Sequence, residues 1–269
     1  MAMSEHAPRQ QVPLLIATLL ILALQFQPIS AQQQYNNVTG YLCTGEAQTC
    51  QAYAYYRTQG TNSTLNSTAT LFNTSAAAIA NASTLNTTSS NALLADATGL
   101  TIPLACGCYN GTYQSPTTYK VVAGDTMAII ANRTFEGLVS YQAIMAANPK
   151  IVPENMQIGD NLKIPVRCAC PTRAQQLAGT EYLLSYAVFP NEDLTTISKK
   201  YNVSVAEVQA ANTWPNTTVD AFSTVLVPLK EGSGINGAGP APAPSAAPRG
   251  FQAHLLGVVA LIAVQCFVF

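Results

Sequence analysis

Charge is scarce in this 269-residue chain: 12 Lys and Arg, 13 Asp and Glu, and a formal net charge of −1. So balanced a chain has no basic stripe to neutralise phosphates, which excludes a nucleic-acid binder. It also lacks a polybasic membrane patch and the charge excess of a disordered chain. Histidine is rarer still, with only His6 and His254, one near each end. Neither apolar run reaches the roughly 20 residues of a comfortable bilayer span.

Those two runs lie at the ends and inflate the 48% apolar content. Residues 12–24 (VPLLIATLLILAL) follow a polar stretch containing Arg9. Pro13 and the missing amphipathic period argue against a buried helix there. The pattern is that of a secretory leader, 1–31, cleaved after Ala31. At the other end, 255–269 (LLGVVALIAVQCFVF) follows a polar spacer and the triplet Ser245-Ala246-Ala247. Small residues, spacer and greasy tail form a GPI attachment pattern, with Ser245 as acceptor and 246–269 removed. Asn236 and Gly239 are weaker acceptors, and a short transmembrane helix is the alternative. Residues 231–254 read as a Pro/Ala-rich stalk and spacer, with GAGPAPAPSAAP favouring extended polyproline II.

Removing both ends removes both histidines and Cys266. Six cysteines stay: Cys43, Cys50, Cys106, Cys108, Cys168 and Cys170. An even count in a secreted chain implies three disulfides, and spacing does not choose among the fifteen pairings. Pairing within a C-x-C is disfavoured by ring strain. A Cys₄ zinc site would suit a reducing compartment better, so no metal and no cofactor are expected. Ten N-x-S/T sequons point to the same secreted compartment: Asn37, Asn62, Asn66, Asn73, Asn81, Asn86, Asn110, Asn132, Asn202 and Asn216. Five of them between Asn62 and Asn86 predict a glycan coat on that stretch.

The remainder repeats with a period near 63. Cys106/Cys108 and Cys168/Cys170 are 62 positions apart, each preceded by an apolar-Pro pair, Ile102-Pro103 and Ile164-Pro165. Val227-Pro228 supplies a third such pair, Tyr119 and Tyr182 each open a strand-like run, and Asn148 and Asn212 each follow an Ala pair. Fixed-period self-similarity marks repeated modules: units 50–104, 118–166 and 180–229. In the middle unit, Tyr119–Ala123 reads as a strand, Gly124-Asp125 as a turn, and Thr126–Arg133 as a helix capped by Asp125 or Thr126. Leu138–Ala147 reads as a second helix, stopped by Asn148-Pro149. Gly159-Asp160 is another turn and Asn161–Ile164 a closing strand. The order is β-α-α-β, with the two strands pairing antiparallel. The third unit repeats it: strand Tyr182–Val188, helices Leu194–Tyr201 and Ser204–Ala211, strand Ser223–Val227. The first unit is worn, with recognisable pieces at Ala52–Tyr56, Leu71-Phe72, Ile79-Ala80, Leu85 and Leu100–Pro103. Such small units need staples, and a disulfide closing about 60 residues contributes on the order of 4 kcal/mol by the chain-entropy argument.

YKVVAGDT, then AANP, then IGDNLKIP resembles a LysM domain. Three such units separated by two C-x-C pairs resemble the ectodomain of plant LysM receptors. Residues 135–173 are especially similar to LysM receptor-like kinases, and the tail resembles LysM GPI-anchored proteins of the chitin-elicitor-binding type. The likeness covers about Cys43 to Lys230. It implies an α+β fold of three small βααβ LysM modules linked by C-x-C disulfides and packed as a compact clover. It further implies the pairs Cys43–Cys108, Cys50–Cys170 and Cys106–Cys168. The family binds N-acetylglucosamine polymers in a groove between the first β-α loop and the second α-β loop. In the middle unit the resemblance assigns that groove to Gly124, Asp125, Thr126, Met127, Asn148, Pro149, Lys150, Ile151 and Val152. Met127, Ile151 and Val152 are expected to form the apolar seat, and Gly124 to let backbone approach closely. The third unit has Phe189-Pro190-Asn191-Glu192-Asp193 where G-D-T would sit, and the first lacks both Gly-Asp and Asn-Pro. The middle unit is therefore the expected single site.

A glycosidase would need two carboxylates across a cleft. Glu154 with Asp160 and Glu192 with Asp193 are the nearest pairs in sequence, and they fall in loops and at a helix start. Without histidine, Ser-His and Cys-His chemistry is absent. The expectation is a non-catalytic receptor or co-receptor on the outer face of the plasma membrane, held by a GPI anchor and acting in plant innate immunity. Its ligand would be chitin oligosaccharide and its partner a LysM receptor-like kinase. The alternatives are a lipochitooligosaccharide or peptidoglycan ligand, a structural wall glycoprotein, or a decoy without sugar binding.

Overall fold

The computed structural model describes residues 40–43, 49–60, 63–86, 89–213, 219–221, 223–230 and 233. The leader 1–31, the attachment residue Ser245, the 246–269 tail, the 231–254 stalk apart from Ser233, and the sequons Asn37, Asn62 and Asn216 lie outside them. Among the described residues no helix is long and apolar enough to cross a membrane.

Three βααβ units follow one another. The first runs β1 (Thr49–Arg57), α1 (Leu65–Leu71), α2 (Ala76–Ala82) and β2 (Gly99–Tyr109). The second runs β3 (Thr112–Lys120), α3 (Met127–Ile129), a π-helical turn Ile130–Thr134, α4 (Tyr141–Ala147) and β4 (Asn161–Arg167). A linker helix α5 (Arg173–Leu177) leads to β5 (Thr180–Ala187), α6 (Leu194–Lys200), α7 (Val205–Asn212) and β6 (Thr224–Lys230). Within each unit the two strands pair antiparallel, as their placement predicts. Helix starts are capped as the residue types dictate: Thr64, Ser75, Thr126, Ser140, Asp193 and Ser204 each accept from a backbone N–H three residues on. Thr126, not Asp125, caps α3. The second helix begins at Tyr141, three residues later than the periodicity suggests, because Leu138 and Val139 are buried ahead of the Ser140 cap.

The first unit is structurally complete despite its worn sequence. It also runs past Leu104, since β2 continues through both cysteines to Tyr109. There Asn110 (φ 50°) and Gly111 (φ 81°) form a two-residue turn into β3. Paired positive φ is what a type I′ hairpin needs, and Asn-Gly is its commonest sequence. The supposed linker is thus a hairpin, and it fuses the units into one six-stranded sheet, β4-β3-β2-β1-β5-β6. The third unit joins through parallel pairing of Tyr53, Ala54 and Tyr55 with Leu184, Ser185 and Tyr186.

All six cysteines are in disulfides: Cys43–Cys108, Cys50–Cys170 and Cys106–Cys168. Cys50 and Cys106 face each other across β1 and β2, so the second C-x-C is tied to two adjacent strands. The Sγ atoms of Cys50, Cys106 and Cys170 lie within 4.8 Å of one another, and the bonds leave no thiolate for a metal.

One asparagine device closes the sheet edges. On β4, Lys163 N–H donates to Asn148 Oδ1 (2.9 Å), and Asn148 Nδ2 donates to Lys163 O (2.8 Å) and Ile144 O (2.7 Å). On β6, Asn212 does the same with Leu226 N–H (2.8 Å), Leu226 O (2.8 Å) and Val208 O (2.7 Å). In the first unit Ser83 substitutes: its Oγ accepts from Thr101 N–H (2.9 Å) and donates to Thr101 O (3.4 Å). A side chain that imitates a neighbouring strand satisfies exposed ladder groups and blocks pairing with another chain.

Two outcomes follow. Replacing Cys50 and Cys170 together by Ser should cost about 4–5 kcal/mol, read as a Tm lower by roughly 10 °C or more in a thermal melt. Asn212→Ala strands the N–H and carbonyl of buried Leu226 and should cost about 2–4 kcal/mol by denaturant titration, more than Ser83→Ala.

Candidate functional site

The chain leaves β3 and enters β4 at one end of the sheet, with Lys120 opposite Asn161 in register. The loops 121–126 and 148–160 therefore lie side by side, stitched by Val121 N–H to Asp160 O and Gly159 N–H to Val121 O (both 2.9 Å). In the first loop Asp125 N–H donates to Val122 O (3.2 Å), with Gly124 at φ 87°, the positive φ a type II turn demands. A Cβ at Gly124 would meet nothing within 4 Å, so this backbone faces open solvent. The Asp125 carboxylate fixes the turn from inside, accepting from Val122 N–H (2.8 Å) and from the Tyr119 hydroxyl (3.0 Å). Partial burial and that bond to the carboxylate raise the Tyr119 pKa above the ordinary phenol value.

The second loop turns at Asn148-Pro149-Lys150-Ile151, closed by Ile151 N–H to Asn148 O (3.0 Å). A 3₁₀ turn, Pro153–Asn155, follows. The nine residues expected at this site fall into groups. Gly124, Thr126, Pro149, Lys150 and Val152 are exposed, and Asp125 and Ile151 are half-buried. Met127 is only 3% exposed and belongs to the core, while buried Asn148 spends its amide on the β4 edge. The apolar surface on these loops is instead Val122 (53% exposed), Val152 (52%) and Ile158 (73%). Val122 and Ile158 stand within YKVVAGDT and IGDNLKIP, but nothing in those motifs marks either side chain as exposed. Only their burial, decided by the whole fold, distinguishes them from core.

The third unit holds the same loop frame with different residues. Asn191 takes the positive φ of Gly124 (68°), and Asp193 takes the capping role of Thr126. Glu192 accepts from Phe189 N–H (3.0 Å) and the Tyr186 hydroxyl (2.8 Å), as Asp125 does one unit earlier. The missing G-D-T therefore does not change the turn. What differs is the seat: Phe189 is buried, with the Arg57 guanidinium 3.1 Å from its ring centroid. In the first unit, the loop is stitched shut by Thr58 N–H to Thr98 O, Ala97 N–H to Thr58 O and Gly60 N–H to Asp96 Oδ1. Among the paired carboxylates, Glu192 and Asp193 are consumed by the turn and cap, Asp160 accepts from Gln157 N–H (2.8 Å), and Glu154 is exposed. The seven described sequons, Asn66, Asn73, Asn81, Asn86, Asn110, Asn132 and Asn202, are all exposed.

A separate cavity of about 540 Å³ lies between the linker helix and the third unit. Its walls include Ala174, Ala178, Leu183, Ala210 and Pro228, with Thr172 and Gln175 adding polar groups. No sequence motif marks it, because its walls come from five separate stretches of the chain.

Comparison with known proteins matches three domain models in succession. The NFP/LYK LysM1 domain covers 49–109, the LYK3/4/5 LysM2 domain 113–167, and the LYK4/5 LysM3 domain 182–229. Protein LYK5 of Arabidopsis thaliana is 31% identical over 234 residues, 80% of this chain and 35% of that one. LysM domain-containing GPI-anchored protein 1 of Arabidopsis thaliana is 31% identical over 131 residues, covering 48% of this chain and 31% of that one. Chitin elicitor-binding protein of Oryza sativa subsp. japonica is 30% identical over 145 residues, covering 53% and 40%. The chain thus spans about a third of the length of these relatives. A crystal structure of the LYK3 ectodomain shares the fold with a TM-score of 0.60 at 17% identity, over 73% of this chain and 96% of that one. With a LysM model matched on each of its three βααβ units, the chain belongs to the LysM-domain family of the LYK/NFP type.

Proposed function

We propose that this chain is a non-catalytic cell-surface receptor or co-receptor that binds N-acetylglucosamine-containing glycans, chitin oligosaccharides first, in the groove of its second unit. One observation carries the reading. Two adjoining loops present open backbone at Gly124 beside exposed Val122, Val152 and Ile158. An uncharged sugar polymer offers apolar C–H faces and acetamide groups. It calls for a shallow apolar seat next to accessible backbone, not for charge. The chitin elicitor-binding relative supports the ligand class, and the GPI-anchored relative supports display on the outer membrane face through the expected leader, stalk and tail. Exposure of the seven described sequons supports their glycosylation. Signalling then passes through a LysM receptor-like kinase that shares the same oligomer. One shallow groove gives modest affinity, and bridging two proteins on a long oligomer multiplies it.

Calorimetry on the purified chain tests this with chitin oligomers of four to eight sugars, cellohexaose and a peptidoglycan fragment. Chitin should bind and cellohexaose, which lacks acetamides, should not; tighter binding of the peptidoglycan fragment would shift the ligand assignment. Val152→Asp and Ile158→Asp should each weaken binding about tenfold, the scale of one lost aliphatic contact, while leaving Tm unchanged because both side chains are exposed. Absence of heat with every N-acetylglucosamine ligand, with disulfides intact, would move the assignment to a structural wall glycoprotein or to a co-receptor acting through protein contacts alone.

A further inference from the structure

The helical turn after the first strand ends the same way in every unit. A buried aromatic caps it, and the next residue enters the left-handed region: Phe72 then Asn73 (φ 52°), Phe135 then Glu136 (φ 50°), Tyr201 then Asn202 (φ 53°). Asparagine tolerates that conformation, whereas glutamate is disfavoured there. Asn73 and Asn202 are exposed, but Glu136 is 5% exposed and reaches out of its own unit. Its carboxylate accepts from Arg57 N–H (2.6 Å) and from Gln59 Nε2 (2.6 Å), and Arg57 Nε lies 3.5 Å from Oε1. Both partners follow from the first unit's β1. The neighbouring Gly137 carbonyl accepts from Thr224 Oγ1 of the third unit (2.9 Å), and Arg57 covers Phe189 of that unit. The three units meet at this one carboxylate.

We propose that Glu136 is a proton-operated latch, which takes up a proton as the medium acidifies and thereby holds the first and second units together more firmly. A carboxylate removed from water is disfavoured in its charged form unless fully compensated. Compensation here is partial. Arg57 is the single formal charge acting on it, a third of its side chain is exposed, and Gln59 and Tyr56 are the neutral polar groups around it. Thr224 and Phe189, on the elements packed from the third unit, carry no charge. Burial therefore outweighs the bonds to Arg57 and Gln59, and the Glu136 pKa is raised above its ordinary value of 4.5. Protonation keeps the geometry: one oxygen still accepts from Arg57 N–H, and the Gln59 amide turns its oxygen toward the new hydroxyl.

The sign follows from linkage. A carboxyl whose folded pKa is raised favours the fold in its protonated form. Its contribution is complete below the unfolded value of 4.5 and is lost as pH rises through the higher folded value. Other acids act elsewhere. Glu207 is lowered to about 2 by Lys230 and its cap, and Asp193 is lowered by Thr196, so both destabilise only on stronger acidification. The described residues contain no histidine, so no imidazole titrates beside Glu136 there. The same helical segment starts at Thr126, in the glycan loop, and ends against Glu136, so the latch sits on the element that carries the groove.

The test is thermal unfolding of the whole chain from pH 4.5 to 7.5, beside Glu136→Gln and Arg57→Met, with carboxyl ¹³C titration of Glu136. Lowering pH from 7.5 to 4.5 should raise Tm of the unaltered chain relative to Glu136→Gln. Arg57→Met removes the counter-charge and should move the Glu136 titration to higher pH. Parallel Tm curves for the chain and Glu136→Gln overturn the proposal, as does a Glu136 midpoint at or below 4.5. If Glu136→Gln does not fold, the titration of the unaltered chain decides alone.

Discussion

A unit of about fifty residues exposes too much of its surface to hold a core by burial alone. In this protein the shortfall is met at β1, which pairs with β2 on one side and β5 on the other. Cys50 and Cys106, opposite one another on β1 and β2, take Cys170 and Cys168 from the segment after β4. The second linker is thereby bolted across the first unit. Tyr55 stacks on Tyr186 with centroids 5.0 Å apart beside the β1–β5 pairing, and Phe72 meets Phe135 edge-on at 5.6 Å, so aromatic contacts add to the strand pairing between units. Loops 121–126 and 148–160 hang from this shared sheet.

The repeat conserves physical roles more than residues. Asn148 and Asn212 each supply an acceptor and a donor to an edge strand, and Ser83 does so for Thr101, on the part of β2 that β3 does not reach. Asp125 and Glu192 each tie a tyrosine hydroxyl to the amide that opens the loop. Gly124 and Asn191 each accept the positive φ. What distinguishes the units is what lies over the frame. The second unit's Val122 is open to solvent, while the third unit's Phe189 lies under Arg57 and the first unit's loop gains a further tie, Gly60 N–H to Asp96 Oδ1. The units therefore differ in what covers the loop, not in the fold of the loop itself.

Fold class, strand–helix order and the Gly124 turn were legible in the sequence because each rests on local chemistry. Alternating apolar residues, capping hydroxyls and Asn-Pro stops act within a few residues of themselves. The hairpin at Asn110-Gly111 was legible too, but the repeat boundary at Leu104 obscured it. Which apolar loop residues stay exposed was not legible. Met127 and Val152 are both apolar residues beside a turn, and only the packing of α3 onto the sheet buries one and leaves the other outside.

Sequence by itself determined that three repeated units exist, two of them legibly β-α-α-β, that six cysteines pair, and that little charge is available for recognition, since composition and short-range pattern suffice for each. Tertiary structure decided that the units share one sheet and that Glu136 faces Arg57 across their junction. It also decided that the second unit's loops stay open while the third unit's aromatic is covered. Those outcomes depend on residues 79 to 132 positions apart coming into contact, and no local propensity specifies which distant surface a side chain will meet.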